Sequence, residues 1–190
     1  AVSAAEQAAA MALVEERIAT RKPAAYLTRE AWLQGVPFTV DERVIVPRSF
    51  IAELLEHSLS PWVEFPEMVE DVADICTGSG CLGVLLADAF PAAHVDVVDI
   101  SPDAIAVCNI NIGNYHLQDR ITAIQSDMFA ALAGKTYDVI ISNPPYVDAH
   151  SMATLPQEYR NEPQIALDGG SDGMASPLTT APAALLTSRT

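Results

Sequence analysis

A glycine-containing turn carries the first residues that could do chemistry. It is the run Asp74-Ile75-Cys76-Thr77-Gly78-Ser79-Gly80, which follows a short apolar stretch. Glycines there let the backbone come close to a ligand, and a helix N-terminus behind them offers free N–H donors. With Gly83, the turn also fits the G-x-G-x-x-G pattern of dinucleotide sites. The pattern alone is weak evidence, because a simple chain reversal needs glycines as well.

Two acidic residues follow the next apolar stretches along the chain. Asp99 could accept hydrogen bonds from two ribose hydroxyls, which fits an adenosine ligand such as NAD or S-adenosylmethionine. The alternative for Asp99 is a helix N-cap, although Ser101 is better placed for that role. Asp127 could accept from an adenine amino group beside the apolar Met128, or it could simply occupy a turn.

The run Asn143-Pro144-Pro145-Tyr146 follows a fourth apolar stretch. Two prolines after a buried strand often serve only to end it. Here they would also present the Asn143 side-chain oxygen and the Pro144 carbonyl as two rigid acceptors. Two acceptors at a fixed angle match the two donors of a planar NH2 group, so the run favours an NH2-bearing substrate.

These four sites fall at the ends of predicted β-strands that alternate with helices. Strands are predicted at residues 69–76, 95–100, 121–125 and 137–142, and helices at residues 82–90 and 102–114. Continuous apolar strands separated by helices indicate a parallel sheet that is buried on both faces. The sequence therefore predicts a doubly wound α/β fold. Its fourth strand should lie beside the first, across the switch point where such sheets bind ligands.

The N-terminal third, residues 1–66, is predicted to be a small helix-and-hairpin unit in front of an α/β domain at residues 67–174. A helix is expected over residues 4–20 and a β-hairpin from the runs 32–40 and 43–47. A further helix is expected over residues 49–59, with Ser49 as its N-cap. Residues 175–190 contain no acidic residue and no strand pattern, which predicts a disordered tail.

Composition argues against several classes of protein. The 190 residues include 25 acidic and 10 basic side chains, and the net charge of -15 argues against a general nucleic-acid binder. No apolar run approaches the roughly 20 residues of a membrane span, and acidic residues interrupt the alanine-rich start where a signal peptide would be apolar. The three cysteines and four scattered histidines match no disulfide set or metal site. A soluble, cytoplasmic protein without a metal is expected.

Taken together, these residues resemble the class I (Rossmann-like) S-adenosylmethionine-dependent methyltransferases that act on NH2 groups, and most closely the N5-glutamine methyltransferases of translation proteins. Three further segments are similar to the ribosomal-protein branch of that family: Tyr26-Leu27-Thr28, Val46-Pro47-Arg48-Ser49 and Glu158-Tyr159-Arg160-Asn161-Glu162-Pro163. The release-factor branch has Pro-Asp-Thr-Glu after its Pro-Arg pair, where this chain has Ser49-Phe50-Ile51-Ala52-Glu53. Arg48 could touch a protein substrate or pair with an acid.

The resemblance implies S-adenosylmethionine as cofactor and a glutamine side chain of a large-subunit ribosomal protein as substrate. Cofactor binding is carried over to Asp74, Cys76, Thr77, Gly78, Ser79, Gly80, Asp99, Asp127, Met128 and Asn143. The glutamine amide is expected at Asn143, Pro144, Pro145 and Tyr146, with Asn143, Pro144 and Tyr146 in the catalytic role. No direct contact with nucleic acid, membrane or metal is implied.

The chain departs from the family pattern at both ends. Family members have a longer N-terminal helical domain, and after Gly169-Gly170-Ser171-Asp172-Gly173 they continue with a helix and three strands. The expectation is a sheet incomplete at its C-terminal side, whose exposed edge and apolar face would favour a homodimer or leave an inactive cofactor-binding fragment. A DNA adenine methyltransferase could use residues 143–146 but would need a basic cleft. A dehydrogenase would leave residues 143–146 unexplained.

Overall fold

The computed structural model describes residues 2–173, and its N-terminal part consists of helices and one hairpin. Its elements are α1 (Ala4–Thr20), α2 (Ala24–Thr28), β1 (Glu30–Leu33), β2 (Val36–Thr39) and α3 (Ile51–Leu55). Ser3 and Glu6 form a reciprocal capping box at the start of α1. The predicted helix over residues 4–20 is confirmed.

The hairpin lies earlier in the chain than predicted. β1 and β2 pair antiparallel within residues 30–39, because Gln34 and Gly35 adopt the positive φ values of 50° and 73° that a tight two-residue turn requires. The run 43–47 forms no strand, and the Val46 N–H donates to the Glu162 carboxylate instead. The helix predicted over residues 49–59 ends at Leu55, since Ser58 and Leu59 adopt left-handed backbone conformations.

The remaining elements alternate between strands and helices. They are β3 (Asp71–Ile75), α4 (Cys81–Ala89), β4 (His94–Asp99), α5 (Pro102–Asn114), β5 (Ile121–Gln125), β6 (Val139–Ser142) and α6 (Ala149–Thr154). The strands form one parallel sheet in the order β5-β4-β3-β6. This confirms the predicted α/β fold, with the fourth strand of the sheet beside the first. Between residues 2 and 173, β6 pairs with β3 alone.

Apolar side chains cover both faces of the sheet. On one face the strands pack against α4 and α5, with Leu86, Phe90 and Val97 almost fully buried. On the other face, Ile75 and Val98 pack with residues of the segment 128–137. The strands therefore have hydrophobic partners on both faces, as parallel sheets do, and their parallel pairing brings their carboxyl ends to one edge.

The hairpin is tied to this domain through the buried side chain of Asn111 on α5. Its amide donates to the carbonyls of Thr39 and Ser79, and its oxygen accepts from the Thr39 N–H at 2.8 Å. The N-terminal unit thus lies against the glycine-containing turn. No helix within residues 2–173 is long and apolar enough to cross a membrane, and the tail predicted at residues 175–190 lies outside the described residues.

Candidate functional site

A cavity of about 200 Å³ opens at the carboxyl edge of the parallel sheet. Seven of the site residues predicted from the sequence line it, each at the end of a strand or within three residues after it: Cys76, Gly78, Asp99, Asp127, Met128, Asn143 and Pro145. Ligands of open α/β sheets bind at this edge, next to the point where the strand order reverses. The parallel topology alone therefore gathers residues that are far apart in sequence.

The glycine-containing turn divides into residues that face the cavity and residues that support it. Gly78 lines the cavity at a φ of 57°. Gly80 caps α4, and a Cβ there would lie 2.5 Å from the Cys108 Sγ. At Gly83 a Cβ would lie 2.3 Å from the Val97 Cγ1. Gly80 thus lets α5 approach the turn closely, Gly83 lets α4 approach the sheet, and Gly78 borders the cavity.

Within the turn, the side chains of Asp74, Thr77 and Ser79 are buried and do not line the cavity. The fully buried Asp74 carboxylate accepts a hydrogen bond from the Thr77 hydroxyl. Burial raises the pKa of Asp74 to about 7, and the nearby Asp99 charge adds to the increase. Their geometry makes these residues a support for the turn.

The Asp99 carboxylate is held by two backbone donors at the end of β4. Its Oδ2 accepts from the Gly78 N–H at 2.9 Å and its Oδ1 from the Ser101 N–H at 3.0 Å. Burial raises its pKa. Each oxygen has a second lone pair for a ligand hydroxyl. Ser101 is the N-cap of α5, as its better placement predicted.

The turn after β5 supplies an apolar wall next to a carboxylate. Met128 adopts a left-handed backbone with φ of 46°, and its Sδ lies 3.6 Å from the Cys76 Sγ. Cys76 also has a positive φ of 63°. Two non-glycine residues in this sparsely populated region meet at the same wall, which is where strained backbone often marks a binding site.

Asn143 lies where the cavity meets a second, smaller groove. The groove is lined by Arg48, Asn143, Pro144 and Tyr146 among others, whereas Pro145 lines the main cavity. The Tyr146 side chain is 66% exposed and opens the groove to solvent. The run 143–146 therefore separates the main cavity on one side from the solvent-facing groove on the other.

Sequence reasoning missed two wall segments of the cavity. Residues 43–45 come from the N-terminal part, and residues 163, 165 and 166 lie at or next to the 3-10 helix Gln164–Ala166, which follows α6. The buried Glu162 joins the two segments, because its carboxylate accepts from the Val46 N–H at 3.1 Å and from Arg48 at 3.0 Å. The only sequence signal near these two wall segments was the family resemblance of residues 46–49 and 158–163, and that resemblance assigned no role to the walls.

Arg48 thus pairs with an acid, which was one of the two roles left open by its sequence, and it also lines the groove. Its guanidinium also lies 4.9 Å from the centre of the Tyr159 ring, a cation–π distance. Among the described residues, no group of three or more His, Cys, Asp or Glu side chains could hold a metal ion. The three cysteines are free thiols, and burial raises the pKa of Cys76 to about 12.

The chain is similar in sequence to a family of methyltransferases and to curated members of known name. The family described as "Methyltransferase small domain" matches residues 54–161. A ribosomal protein uL3 glutamine methyltransferase of Burkholderia pseudomallei (strain K96243) is 58% identical over 173 residues, which cover 87% of this chain and 56% of the relative. One of the same name from Bordetella pertussis (strain Tohama I) is 57% identical, covering 89% of this chain and 57% of the relative.

The chain therefore spans a little over half the length of these two curated relatives. A solved structure titled "delta-N METTL16 MTase domain" superposes with a TM-score of 0.50 at 15% identity, covering 62% of this chain and 56% of that one, and it supports the fold alone. The family match covers more than half of the chain, and the identity to the two relatives far exceeds what a shared fold requires. The chain therefore belongs to the methyltransferase small-domain family.

Proposed function

We propose that this chain transfers a methyl group from S-adenosylmethionine to the side-chain amide nitrogen of a glutamine in a large-subunit ribosomal protein. The observation that carries the proposal is the position of Asn143, which borders both the main cavity and the smaller groove. The names of the relatives supply the substrate, ribosomal protein uL3. Such a substrate would place the reaction in the cytoplasm.

The main cavity fits the cofactor by the chemistry of its donors and walls. Ribose hydroxyls and an adenine amino group are donors, and the cavity offers the acceptors Asp99 and Asp127. Ile100 and Met128 supply apolar surface for the purine ring. When bound, S-adenosylmethionine supplies an electrophilic methyl group on a sulfonium, with a neutral thioether as leaving group.

The groove fits the planar NH2 of a glutamine side chain. The Asn143 side-chain oxygen and the Pro144 carbonyl are two acceptors for its two N–H donors. Proline fixes φ at residues 144 and 145, so the Pro144 carbonyl keeps its direction. The Tyr146 ring would form a wall along the methylene chain of the glutamine.

The Asn143 oxygen and the Pro144 carbonyl would stabilise the transition state of methyl transfer to the amide nitrogen more than the bound substrate. The amide lone pair is delocalised into its carbonyl, which makes the nitrogen a weak nucleophile. Holding it in line with the methyl carbon lowers the entropic part of the barrier, and fixed dipoles stabilise the positive charge that grows on nitrogen. The surplus N–H proton can pass to water through the groove, which opens beside the exposed Tyr146.

The overall charge favours a basic partner. The chain has a net charge of -15, and a strongly acidic protein attracts a basic ribosomal protein by long-range steering. The same charge would repel a nucleic-acid backbone.

The test is methyl transfer from labelled S-adenosylmethionine, with unmethylated uL3, release factor and DNA as parallel substrates. We expect label on uL3 alone, located to one glutamine, and none on uL3 that is already methylated. Label on release factor would overturn the substrate and leave the amide chemistry. Label on DNA, or on none of the three, would contradict the proposal.

A further inference from the structure

The segment after the 3-10 helix Gln164–Ala166 is hydrogen-bonded to the residues that directly follow Tyr146. The Val147 N–H donates to the Leu167 carbonyl at 2.9 Å, and the Gly169 N–H donates to the Val147 carbonyl at 2.8 Å. A third bond joins the Ala149 N–H to the Gly170 carbonyl at 2.9 Å. We call residues 167–173 the glycine clamp.

Two glycines of the clamp leave no space for a side chain. A Cβ at Gly169 would lie 2.8 Å from the Tyr146 Cα and 2.9 Å from its carbonyl carbon. A Cβ at Gly173 would lie 2.6 Å from the Tyr146 carbonyl oxygen. All of these neighbours are backbone atoms, so no side-chain rotation could relieve the contact. The main chain at Tyr146 can keep its position only if residues 169 and 173 have no side chain.

Movement at Tyr146 would be passed on to the acceptors of the groove. Tyr146 directly follows Pro144 and Pro145, whose rings remove the φ freedom that could absorb a shift. The Asn143 oxygen and the Pro144 carbonyl would therefore move with it. A displacement of about 1 Å in a reacting group can reduce a rate by roughly 100-fold.

We propose that Gly169 and Gly173 are positioning residues for the reacting amide, because they hold the run 143–146 in place by backbone-to-backbone contact. The inference rests on the proposed function, since it assumes that this run binds the substrate amide. Neither glycine lines the main cavity, most of whose lining comes from other segments. The clamp should therefore govern methyl transfer far more than cofactor binding.

The test compares Gly169→Ala and Gly173→Ala with Gly35→Ala. Gly35 has a φ of 73°, against 74° for Gly173, and a Cβ added to it would meet nothing within 4 Å, so it carries the same backbone strain without the contact. We expect the two clamp variants to lose at least about 100-fold in kcat for uL3 while their Kd for S-adenosylmethionine, measured by calorimetry, changes less than about threefold. Gly35→Ala should match the wild type in both.

A variant that removes only one hydrogen bond of the glycine clamp distinguishes a loss of positioning at residues 143–146 from a loss of the fold. Ala149→Pro removes one clamp bond at the first residue of α6, where proline is tolerated, and should lower kcat several-fold. Amide hydrogen exchange at Val147 should accelerate in all three clamp variants and stay unchanged in Gly35→Ala.

Normal kcat in the clamp variants, loss of cofactor binding together with kcat, or unchanged exchange would each overturn the inference. The exchange rates need no substrate. A wild-type chain that fails to methylate uL3 would therefore count against the proposed function, and the exchange rates would still report on the clamp.

Discussion

The main cavity and the smaller groove share Asn143 but are built in different ways. Nearly all polar groups of the cavity follow directly after a strand of the parallel sheet, and Asp99 is held by nearby backbone N–H groups of Gly78 and Ser101. The groove combines three distant segments, and Glu162 bonds to Arg48 across 114 positions of the chain. The main cavity is thus formed largely by the turns after the strands, whereas the groove depends on long-range tertiary contacts.

The main cavity and the groove should therefore respond differently to substitution. Changes in the sheet turns should alter cofactor binding and leave the groove in place. Changes in the long-range contacts should loosen the groove first and also the walls of the cavity formed by residues 43–45 and 163–166. Asn143, where the two spaces meet, should have the largest effect on the reaction.

Asn143→Ala is expected to lower kcat for uL3 by about 1000-fold, equivalent to about 4 kcal/mol of transition-state stabilisation. One of the two acceptors for the substrate NH2 is lost, while the Asp99 and Asp127 carboxylates remain. The Kd for S-adenosylmethionine should change less than about tenfold. Single-turnover transfer and calorimetry measure the two effects separately.

The matched control is Asn109→Ala on α5, an exposed asparagine that bonds to the carbonyl one turn earlier. It should leave both values unchanged. If Asn143→Ala weakened cofactor binding as much as it slowed transfer, the division between cavity and groove would be wrong at its central residue.

Glu162→Ala tests the long-range side and should lower the free energy of unfolding by about 3 kcal/mol. It leaves the Val46 N–H and the Arg48 guanidinium without their buried acceptor. The two wall segments would separate, so both cofactor and uL3 binding should weaken. Chemical denaturation measures the stability, and KM for each ligand measures the loss of the walls.

Glu158→Ala is the control in the neighbouring 3-10 helix, because Glu158 forms ion pairs with Arg17 and Arg21 nearer the surface. It should have a clearly smaller effect on unfolding and none on cofactor binding. Equal effects of the two substitutions would show that the buried carboxylate has no special role in joining the segments.

The sequence predicted the residues at the ends of the strands better than the walls formed by long-range contacts, for the same physical reason. Strand periodicity and the turn residues at 76–80, 99 and 127 are local signals, and the parallel sheet brings them together without further information. The run 43–47 has the composition of a strand but contributes a loop wall, because Val46 finds its hydrogen-bond partner 116 positions away. A contact of that separation leaves no periodic trace, so residues 43–45 and 163–166 could not be assigned from spacing.

Asp74→Asn tests the local support of the glycine-containing turn through its pH dependence. The pKa of Asp74 is about 7 in the folded chain, against about 4 when unfolded. Between these values the folded state binds one more proton than the unfolded state, so this group lowers stability as pH rises from 5 to 7. Above pH 7 the full penalty of the buried charge is present.

The neutral, isosteric variant has no such penalty. The stability of Asp74→Asn relative to the wild type should therefore rise by about 2.5 kcal/mol between pH 5 and pH 8. Denaturant unfolding of both proteins at each pH measures this difference, because the contributions of all other acids cancel. Parallel stability curves would mean that Asp74 is ionised throughout and that the turn is stabilised by its charge.

Tyr159→Leu should produce the smallest effect, and it tests whether the contact between Arg48 and the Tyr159 ring contributes to uL3 binding. The ring lies under the Arg48 guanidinium, and a half-buried cation–π contact contributes about 1 kcal/mol. Leucine keeps apolar bulk and removes the ring face, so Arg48 keeps its bond to Glu162 but gains freedom at the groove wall. We expect KM for uL3 to rise about threefold to fivefold, with kcat and cofactor Kd unchanged.

A double-mutant cycle with Arg48→Met isolates the pair, since Tyr159→Leu should have no further effect once the cation is absent. An equal effect of Tyr159→Leu in both backgrounds would assign the ring to general packing and leave the hydrogen bonds to Glu162 and the Val46 carbonyl to orient Arg48.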